Sequence, residues 1–263
     1  MDTIQLIWLG IVQGLTEFLP ISSSAHLVLV SKLLQWPDQG LIVDVAAHAG
    51  SLLAVLFYFR MQLWQMMSAC ISPRASKNRN ELRLMGHLFV ATLPIVIVAL
   101  FAAEWVERYT REPSIIAITT LLFALLLAYA ALSARELRDE YQLSLSAVVL
   151  IGCAQVLALI PGTSRAGITM TAALMLGQNR TAAARFSFLL AIPTIFGAVV
   201  FKIRELATQT IAVDWSDLCL VIVISALVAY FCIAVFLRLI TAIGLIPFVI
   251  YRLLLGVALL LLV

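Results

Sequence analysis

Two short polar strings interrupt apolar stretches of the chain, and their side chains are of types that bind anions. Residues 20–26 read PISSSAH and residues 161–167 read PGTSRAG, with apolar segments before and after each string. The hydrocarbon of a membrane contains no water for freed backbone groups, so a helix breaks there only where protein or a wet cavity covers the break. The hydroxyls, the histidine and the arginine therefore predict a membrane-embedded anion site.

A carboxylate lies just before the first string. On a helix, Gln13 and Glu17 share one face because they are four residues apart. A carboxylate near the centre of a membrane costs ~2.5–3.5 kcal/mol on insertion scales, so such a group by default indicates a functional site. We predict a functional role for Glu17; the alternative is that it is a structural partner of Arg165.

Three serines follow Pro20, where a second helical segment is predicted to begin. Serine is a favoured N-cap, so one of Ser22, Ser23 and Ser24 is expected to cap this segment. The remaining hydroxyls and the free N–H groups of a helix start can hold an anion. His26 falls in the first turn, so we predict that it faces the same site; the alternative is a hydrogen-bonded core histidine.

Arg165 is the strongest candidate in the second string. A guanidinium deep in a membrane requires a carboxylate, a phosphate or water, and its planar donors match phosphate oxygens. Gly162 lets the backbone approach a ligand closely, and Thr163 and Ser164 repeat the capping pattern. If the chain forms a hairpin at each polar string, and the two hairpins enter the membrane from opposite sides, the positive ends of two helix dipoles converge beside Arg165. This arrangement favours a polyanion.

Other polar residues lie within apolar segments. We expect His48 either to line the cavity or to take part in packing, and Arg252 to have a structural partner. Gln155 precedes the second string as Gln13 precedes the first, and it is expected to hydrogen-bond across the interface between two repeats of the chain. The spacing Gly10-x-x-x-Gly14 is typical of closely packed membrane helices.

The composition sets the class of protein that carries these residues. The chain has 263 residues, of which 63% are hydrophobic, and its mean hydropathy is +1.08. A soluble domain is usually less than half apolar. The sequence thus predicts an all-α polytopic membrane protein with a single integral-membrane domain over residues 1–263. No cluster has zinc-site spacing, and no glycine loop is of the Walker type.

Six apolar segments are long enough to be full transmembrane helices, which take about 20 residues each. They are residues 41–59, 83–105, 114–133, 183–203, 216–238 and 242–262. Two further regions, 4–35 and 144–176, each contain two shorter apolar pieces around a polar string. These pieces are short for a crossing and favour two re-entrant helix hairpins.

The two broken regions resemble each other, which indicates an internal duplication into repeats of about 1–140 and 141–263. Each broken region is followed by three predicted spans. Because a re-entrant hairpin returns to its own side and three spans do not, the second repeat is predicted to be inverted. Inverted repeats with paired broken helices place a site at the repeat interface, near mid-membrane.

The distribution of Lys and Arg orients the chain. These residues are roughly twice as numerous on one predicted side as on the other, which indicates that the richer side is cytoplasmic. Both termini and the first hairpin then face the periplasm, and the second hairpin enters from the cytoplasm.

The motifs resemble those of a known family. Gln13-x-x-x-Glu17, PISSSAH and PGTSR are similar, in order and spacing over essentially the whole chain, to motifs of the bacterial undecaprenyl-diphosphate phosphatases, the bacitracin-resistance membrane proteins. The resemblance implies hydrolysis of undecaprenyl diphosphate to undecaprenyl phosphate and phosphate, which recycles the lipid carrier of peptidoglycan synthesis. It also implies the bacterial inner (plasma) membrane, dependence on a divalent metal and a site that opens toward the periplasm.

The resemblance, added to the reasoning above, defines a set of candidate site residues. The catalytic candidates are Glu17, Ser23, His26 and Arg165; the substrate-binding candidates are Gln13, Ser22, Ser24, Gly162, Thr163 and Ser164. The chain also departs from the family pattern. Gln13 stands where many members have Glu, which leaves one carboxylate fewer for a metal. Ser24 and Ala25 replace a common Thr-Gly, and Ala166 replaces a common Ser.

Three routes of phosphoryl transfer fit these residues. Ser23 attacks the terminal phosphorus with His26 as its acid/base partner, which is the route we favour; His26 activates a water; or His26 itself attacks. A divalent cation, Mg²⁺ or Ca²⁺, held partly by Glu17 would bridge phosphate oxygens.

The expected partners are the polyprenyl diphosphate substrate, membrane lipids and a second copy of the chain in a homodimer, and nucleic acid is not expected. The alternative function is a secondary transporter or a polyprenyl-phosphate flippase, because inverted repeats with broken helices are also typical of transporters.

Overall fold

Helices make up nearly all of the described chain, as predicted. The computed structural model describes residues 2–34, 36, 40–71, 76–110, 112–206 and 214–262. The helices are α1 (Thr3–Thr16), α2 (Ser23–Leu34), α3 (Gly40–Tyr58), α4 (Arg60–Ile71), α5 (Ser76–Thr110), α6 (Pro113–Ser133), α7 (Leu145–Val156), α8 (Arg165–Met175), α9 (Arg180–Leu206), α10 (Trp215–Ile243) and α11 (Ile246–Leu261). A 3₁₀ turn, Leu157–Leu159, follows α7 directly.

Five of the described helices are long and apolar enough to cross a membrane. These candidate spans are Gly40–Tyr58, Asn78–Ala103, Pro113–Ser133, Arg180–Arg204 and Trp215–Ile243. They coincide with five of the six predicted spans, so the chain is a polytopic helical membrane protein. The sixth predicted span, 242–262, contains α11, which has only 16 residues.

The segment 72–82, which lies between the predicted spans 41–59 and 83–105, is helical from Ser76 onward, because α5 begins there and runs for 35 residues. Residues 76–81 are polar but contain neither Gly nor Pro, so nothing in them ends a helix. Residues 72–75 lie outside the described residues. The preceding residues form α4, which the hydropathy pattern does not indicate as a helix. Its 12 residues include Arg60 and two glutamines, so the segment is neither long enough nor apolar enough for a span.

Helices α1 and α3 lie against α10 at glycines. A Cβ added to Gly14 would lie 2.8 Å from the carbonyl oxygen of Ser225, and one added to Gly10 would lie 3.0 Å from Cγ2 of Ile224. Gly50 of α3 also packs against the backbone of α10. The close packing predicted from the Gly10-x-x-x-Gly14 spacing is therefore confirmed.

The centre of the molecule is formed by α9. Between residues 182 and 191 every side chain of this helix except that of Arg185 is buried. A helix that is apolar on all sides belongs in the interior, and α9 contacts α3, α5, α8 and α10. It therefore provides the rigid surface on which α8, and with it the second polar string, is placed.

Candidate active site at two helix breaks

The first polar string forms a break between α1 and α2. Helix α1 ends at Thr16, and α2 begins at Ser23 after a turn that contains Pro20. Ser22 has a φ of 71°, which is rare for a residue other than glycine. Its hydroxyl lies 3.2 Å from the hydroxyl of Ser24. The turn thus presents a serine-rich start of α2.

The second polar string forms a break between α7 and α8. Gly162 has a φ of 91° and Ser164 a φ of 67°. Ser164 caps α8, because its Oγ accepts a hydrogen bond from the N–H of Gly167 at 3.1 Å. A serine in the left-handed region immediately precedes each helix. Backbone strain of this kind persists only where surrounding structure enforces it, and it is common at functional sites.

The two breaks contact each other directly. Ser24 Oγ accepts a hydrogen bond from the N–H of Gly162 at 3.0 Å, although the two residues are 138 positions apart. On the other side of Gly162, α6 holds the turn, since Thr119 donates to the carbonyl of Pro161 at 2.6 Å. A Cβ on Gly162 would collide with Thr119 and with the carbonyl oxygen of Ile116. Glycine is therefore required for this approach.

A buried ion pair joins the same two regions. Arg165 Nη2 lies 3.1 Å from Glu17 Oε1, and the two side chains are only 10% and 8% exposed. Gln13 donates to the other carboxylate oxygen at 2.9 Å. The prediction that Gln13 and Glu17 share one face of the helix is therefore confirmed. Arg165 also donates to the carbonyl of Ser187 on α9 at 3.3 Å.

His48 approaches this ion pair from α3. Its Nε2 lies 3.8 Å from Glu17 Oε2, and its Nδ1 donates to the carbonyl of Asp44 at 2.8 Å. Of the two roles expected for His48, the structure therefore favours proximity to the site over plain packing.

His26 is hydrogen-bonded through both ring nitrogens. Nδ1 lies 2.6 Å from the carbonyl oxygen of Ser22, and because a carbonyl only accepts, Nδ1 carries a proton. Nε2 lies 2.6 Å from the hydroxyl of Tyr251 on α11, with the ring planes within 6° of parallel. In the neutral imidazole, Nε2 therefore accepts from Tyr251.

Ser23, the favoured nucleophile, is the first residue of α2 and is partly exposed. Within the described residues, no hydrogen bond joins its hydroxyl to His26 or to another side chain. The structure thus brings Ser24, rather than Ser23, into contact with the second break. Tyr251 was missed by the sequence analysis, because an aromatic residue in an apolar helix carries no local sign of a polar contact.

Arg252 follows Tyr251 and reaches the second break. This fully buried side chain donates through Nη2 to the carbonyl of Gly162 at 2.9 Å and to that of Thr163 at 3.0 Å. The expected structural partner of Arg252 is therefore main-chain carbonyl oxygen. The hydroxyl of Thr163, also fully buried, has no hydrogen-bond partner among the described residues.

Gln155 lies deeper in α7, away from these contacts. Its amide donates to the carbonyl of Ala91 on α5 at 3.4 Å and accepts from Thr194 at 3.2 Å. Ala91 belongs to the first predicted repeat and Gln155 to the second, so the hydrogen bond expected between the two predicted repeats is present.

The carboxylates of the described chain form no preassembled metal site. Within the described ranges, no group of three or more His, Cys, Asp and Glu side chains is arranged to hold a metal ion. Both oxygens of Glu17 are engaged, by Arg165 and by Gln13. Mg²⁺ is commonly held by one or two carboxylates together with substrate phosphates and water, and a single carboxylate beside an anion site fits that mode.

Comparisons with known proteins agree with the motifs. The family model "Bacitracin resistance protein BacA" matches residues 6–258. Undecaprenyl-diphosphatase 1 of Pseudoalteromonas translucida (strain TAC 125) is 49% identical over 260 residues, which cover 98% of each chain. Undecaprenyl-diphosphatase of Alcanivorax borkumensis (strain ATCC 700651 / DSM 11573 / NCIMB 13689 / SK2) is 50% identical over 262 residues, or 99% of this chain and 98% of the relative. The chain therefore belongs to the family of the bacitracin resistance protein BacA, as the two motifs predicted.

Proposed function

We propose that this protein hydrolyses undecaprenyl diphosphate to undecaprenyl phosphate and inorganic phosphate in the bacterial inner membrane. The reaction would recycle the lipid carrier of peptidoglycan synthesis and confer bacitracin resistance. The observation that carries the proposal is the junction of the two polar strings, through the Glu17–Arg165 ion pair and the Ser24–Gly162 hydrogen bond. The names of two relatives about 50% identical over the full length support the substrate.

The diphosphate would bind between the starts of α2 and α8. The first N–H groups of a helix have no partners within it and attract anions. The hydroxyls of Ser22, Ser24 and Ser164 border these starts, and Thr163 adds an unpaired hydroxyl. Arg165 would exchange part of its contact with Glu17 for phosphate oxygens, and the prenyl chain would lie among the membrane lipids.

Ser23 would act as the nucleophile. Its oxygen forms a bond to the terminal phosphorus, the bond from that phosphorus to the bridging oxygen breaks, and undecaprenyl phosphate leaves. Water then hydrolyses the phosphoserine and releases phosphate. His26 would take the serine proton through Nε2, the ring nitrogen that carries no proton, which requires the hydroxyl of Tyr251 to leave that nitrogen. The alternatives are that His26 activates a water or itself attacks the phosphorus.

A divalent cation, Mg²⁺ or Ca²⁺, would be held by Glu17 together with oxygens of the diphosphate. When bound, it would neutralise charge that develops on the phosphoryl oxygens. Gln13 would keep the carboxylate of Glu17 oriented, as its 2.9 Å hydrogen bond indicates.

The membrane arrangement that we infer has six full spans and two re-entrant hairpins in an inverted repeat. Two pairs of features support the repeat: the serines at positive φ before α2 and α8, and the prolines inside α5 and α9, Pro94 and Pro193. The sixth span would be α11, tilted little because it is short. The Lys and Arg distribution supports periplasmic termini and a site that opens to the periplasm.

Release of phosphate from undecaprenyl diphosphate by the purified protein in detergent tests this function. We expect hydrolysis by the wild type, and a loss of roughly a hundredfold or more in Arg165→Ala, because that change removes a charged donor from the anion site. Arg238→Ala, an exposed arginine of α10, is the control and should retain the wild-type rate. Addition of a chelator should abolish the activity, because it removes the proposed divalent cation.

The same assay separates hydrolysis from transport. Detergent abolishes vectorial transport, so a secondary transporter or a flippase with this architecture would release no phosphate. A folded wild-type protein without hydrolysis in the presence of Mg²⁺ and Ca²⁺ would refute the proposed enzyme.

A further inference from the structure

Arg252 is a buried cation that the proposed reaction does not yet use. It is fully buried, and its Nε and Nη1 have no hydrogen-bond partner among the described residues. The described ion pairs of the chain do not include it. Burial of an ionised guanidinium without a counter-charge is unfavourable. The position therefore requires an explanation that two carbonyl contacts do not supply.

The charges at the two breaks indicate that the missing partner of Arg252 is an anion. Glu17 neutralises Arg165 in the buried ion pair, so these two residues together contribute no net charge. Arg252, held against the same break by the carbonyls of Gly162 and Thr163, adds one positive charge. A site for a polyanion needs such an excess, because anions are drawn to net positive potential in a low-dielectric surrounding.

The hydrogen bonds of Arg252 also orient the backbone of the second break. No peptide bond in the described chain is cis, and in a trans peptide the C=O and the following N–H point in opposite directions. Since the carbonyl of Thr163 points at Arg252, the N–H of Ser164 points away from it. That N–H has no acceptor among the described residues, and it precedes the N–H groups of Arg165 and Ala166, which the Ser164 side chain does not cap.

We propose that Arg252 is a positioning residue for the diphosphate. It holds the carbonyls of Gly162 and Thr163 away from the substrate, so that the N–H of Ser164 and the first turn of α8 face the phosphoryl oxygens. Among the protein groups at the two breaks, its charge is the one that the Glu17–Arg165 ion pair leaves in excess. This inference rests on the proposed function, because it assigns the anion as the diphosphate.

Gly167 offers a way to displace Arg252 without changing any charge. A Cβ at Gly167 would lie 2.8 Å from Arg252 Nη1 and 3.2 Å from Ser164 Oγ, and the shorter contact requires alanine to push the flexible guanidinium aside. Gly197, in α9, is the matched control, because a Cβ there meets nothing within 4 Å. Both glycines are helical, so the intrinsic helix propensity changes equally in the two variants.

The test measures binding of inorganic pyrophosphate by calorimetry and hydrolysis kinetics in Arg252→Gln, Arg252→Lys, Gly167→Ala and Gly197→Ala. Arg252→Gln should weaken pyrophosphate binding and raise the KM for the lipid substrate by roughly tenfold or more, since a charge-assisted contact is lost. Arg252→Lys keeps the charge and should restore part of the affinity. Gly167→Ala should shift both quantities in the same direction, and Gly197→Ala should shift neither.

The inference would be overturned if folded Arg252→Gln had the pyrophosphate affinity and the KM of the wild type. A lower Tm of this variant with unchanged affinity and KM would also overturn it, because Arg252 would then be only structural. If Arg252→Gln does not fold, Gly167→Ala decides by the same two measurements. A failed proposed function gives a different result: the wild type itself would release no phosphate, whereas the effect of Arg252 on pyrophosphate binding is measured without hydrolysis.

Discussion

At the scale of single residues, the ion pair between Glu17 and Arg165 allows two explanations. Either the two residues only stabilise each other, or they are held together so that a substrate can divide them. Removal of one member of a buried ion pair costs about 3–5 kcal/mol because the other charge stays unpaired, while replacement of both is often nearly neutral. Stability and activity therefore respond differently when both charges are removed.

We predict that Glu17→Gln lowers both the thermal stability and the hydrolysis rate, whereas Glu17→Gln combined with Arg165→Gln regains stability but not activity. The single change leaves the guanidinium of Arg165 without its carboxylate; the double change leaves two neutral amides that can hydrogen-bond to each other. Thermal unfolding in detergent and phosphate release measure the two effects. Recovery of hydrolysis in the double variant would mean that the pair is only structural.

At the scale of secondary-structure elements, the ends of helices require glycine for two different reasons, a left-handed backbone and close packing. Gly162 and Gly177 both have positive φ, 91° and 89°. A Cβ on Gly162 would also collide with α6, while one on Gly177 would meet nothing within 4 Å. The two positions therefore separate the cost of a left-handed backbone from the cost of close packing.

We expect Gly162→Ala to abolish hydrolysis and to lower the free energy of unfolding by more than Gly177→Ala. Strain at positive φ costs about 1–3 kcal/mol and applies to both variants. The collision applies only to Gly162, and it would separate the second break from Ser24 and from Thr119. Equal losses of stability and activity in the two variants would contradict this account of the break.

At the scale of the whole molecule, a second, partly buried polar network joins α4, α5 and α9 through the segment between α6 and α7. Tyr141 donates to Glu81 at 2.8 Å, and Arg185 donates to Glu140 and to Gln62 at 2.7 Å each. Glu81 Oε2 is buried without a partner among the described residues. This network ties together helices that are distant in sequence, so we assign it to stability rather than to the reaction.

We predict that Tyr141→Phe lowers the free energy of unfolding by about 1–3 kcal/mol, because Glu81 loses a buried donor, while the hydrolysis rate of the folded protein is retained. Burial and the neighbouring Glu81 carboxylate raise the pKa of Tyr141 above its ordinary value of 10.0. The folded state therefore keeps the tyrosine proton when the unfolded state loses it, and this stabilisation declines above about pH 10.

Thermal unfolding across pH 8–11 tests the prediction, with Tyr129→Phe, an exposed tyrosine of α6, as the control. The difference in stability between wild type and Tyr141→Phe should shrink at the alkaline end. A difference that stays constant with pH would contradict the role assigned to the Tyr141 hydroxyl.

What could be predicted from the sequence was whatever depends on neighbouring residues. The apolar runs determined a polytopic helical protein, and Pro20, Gly162 and the adjacent serines determined where two helices break. The position of Glu17 beside Gln13 followed from helical periodicity. These features are local because backbone hydrogen bonding and the exclusion of water act along a few residues at a time.

The tertiary structure decided which of these residues meet. Ser24 rather than Ser23 contacts the second break. His26 is hydrogen-bonded to Tyr251, 225 positions away, and Arg252 donates to the carbonyls of Gly162 and Thr163. No periodicity of α11 marks these contacts, because a hydrogen bond between distant segments depends on how whole helices pack. The local sequence pattern thus identified the positions of the candidate site residues along the chain, and helix packing determined which of them contact each other.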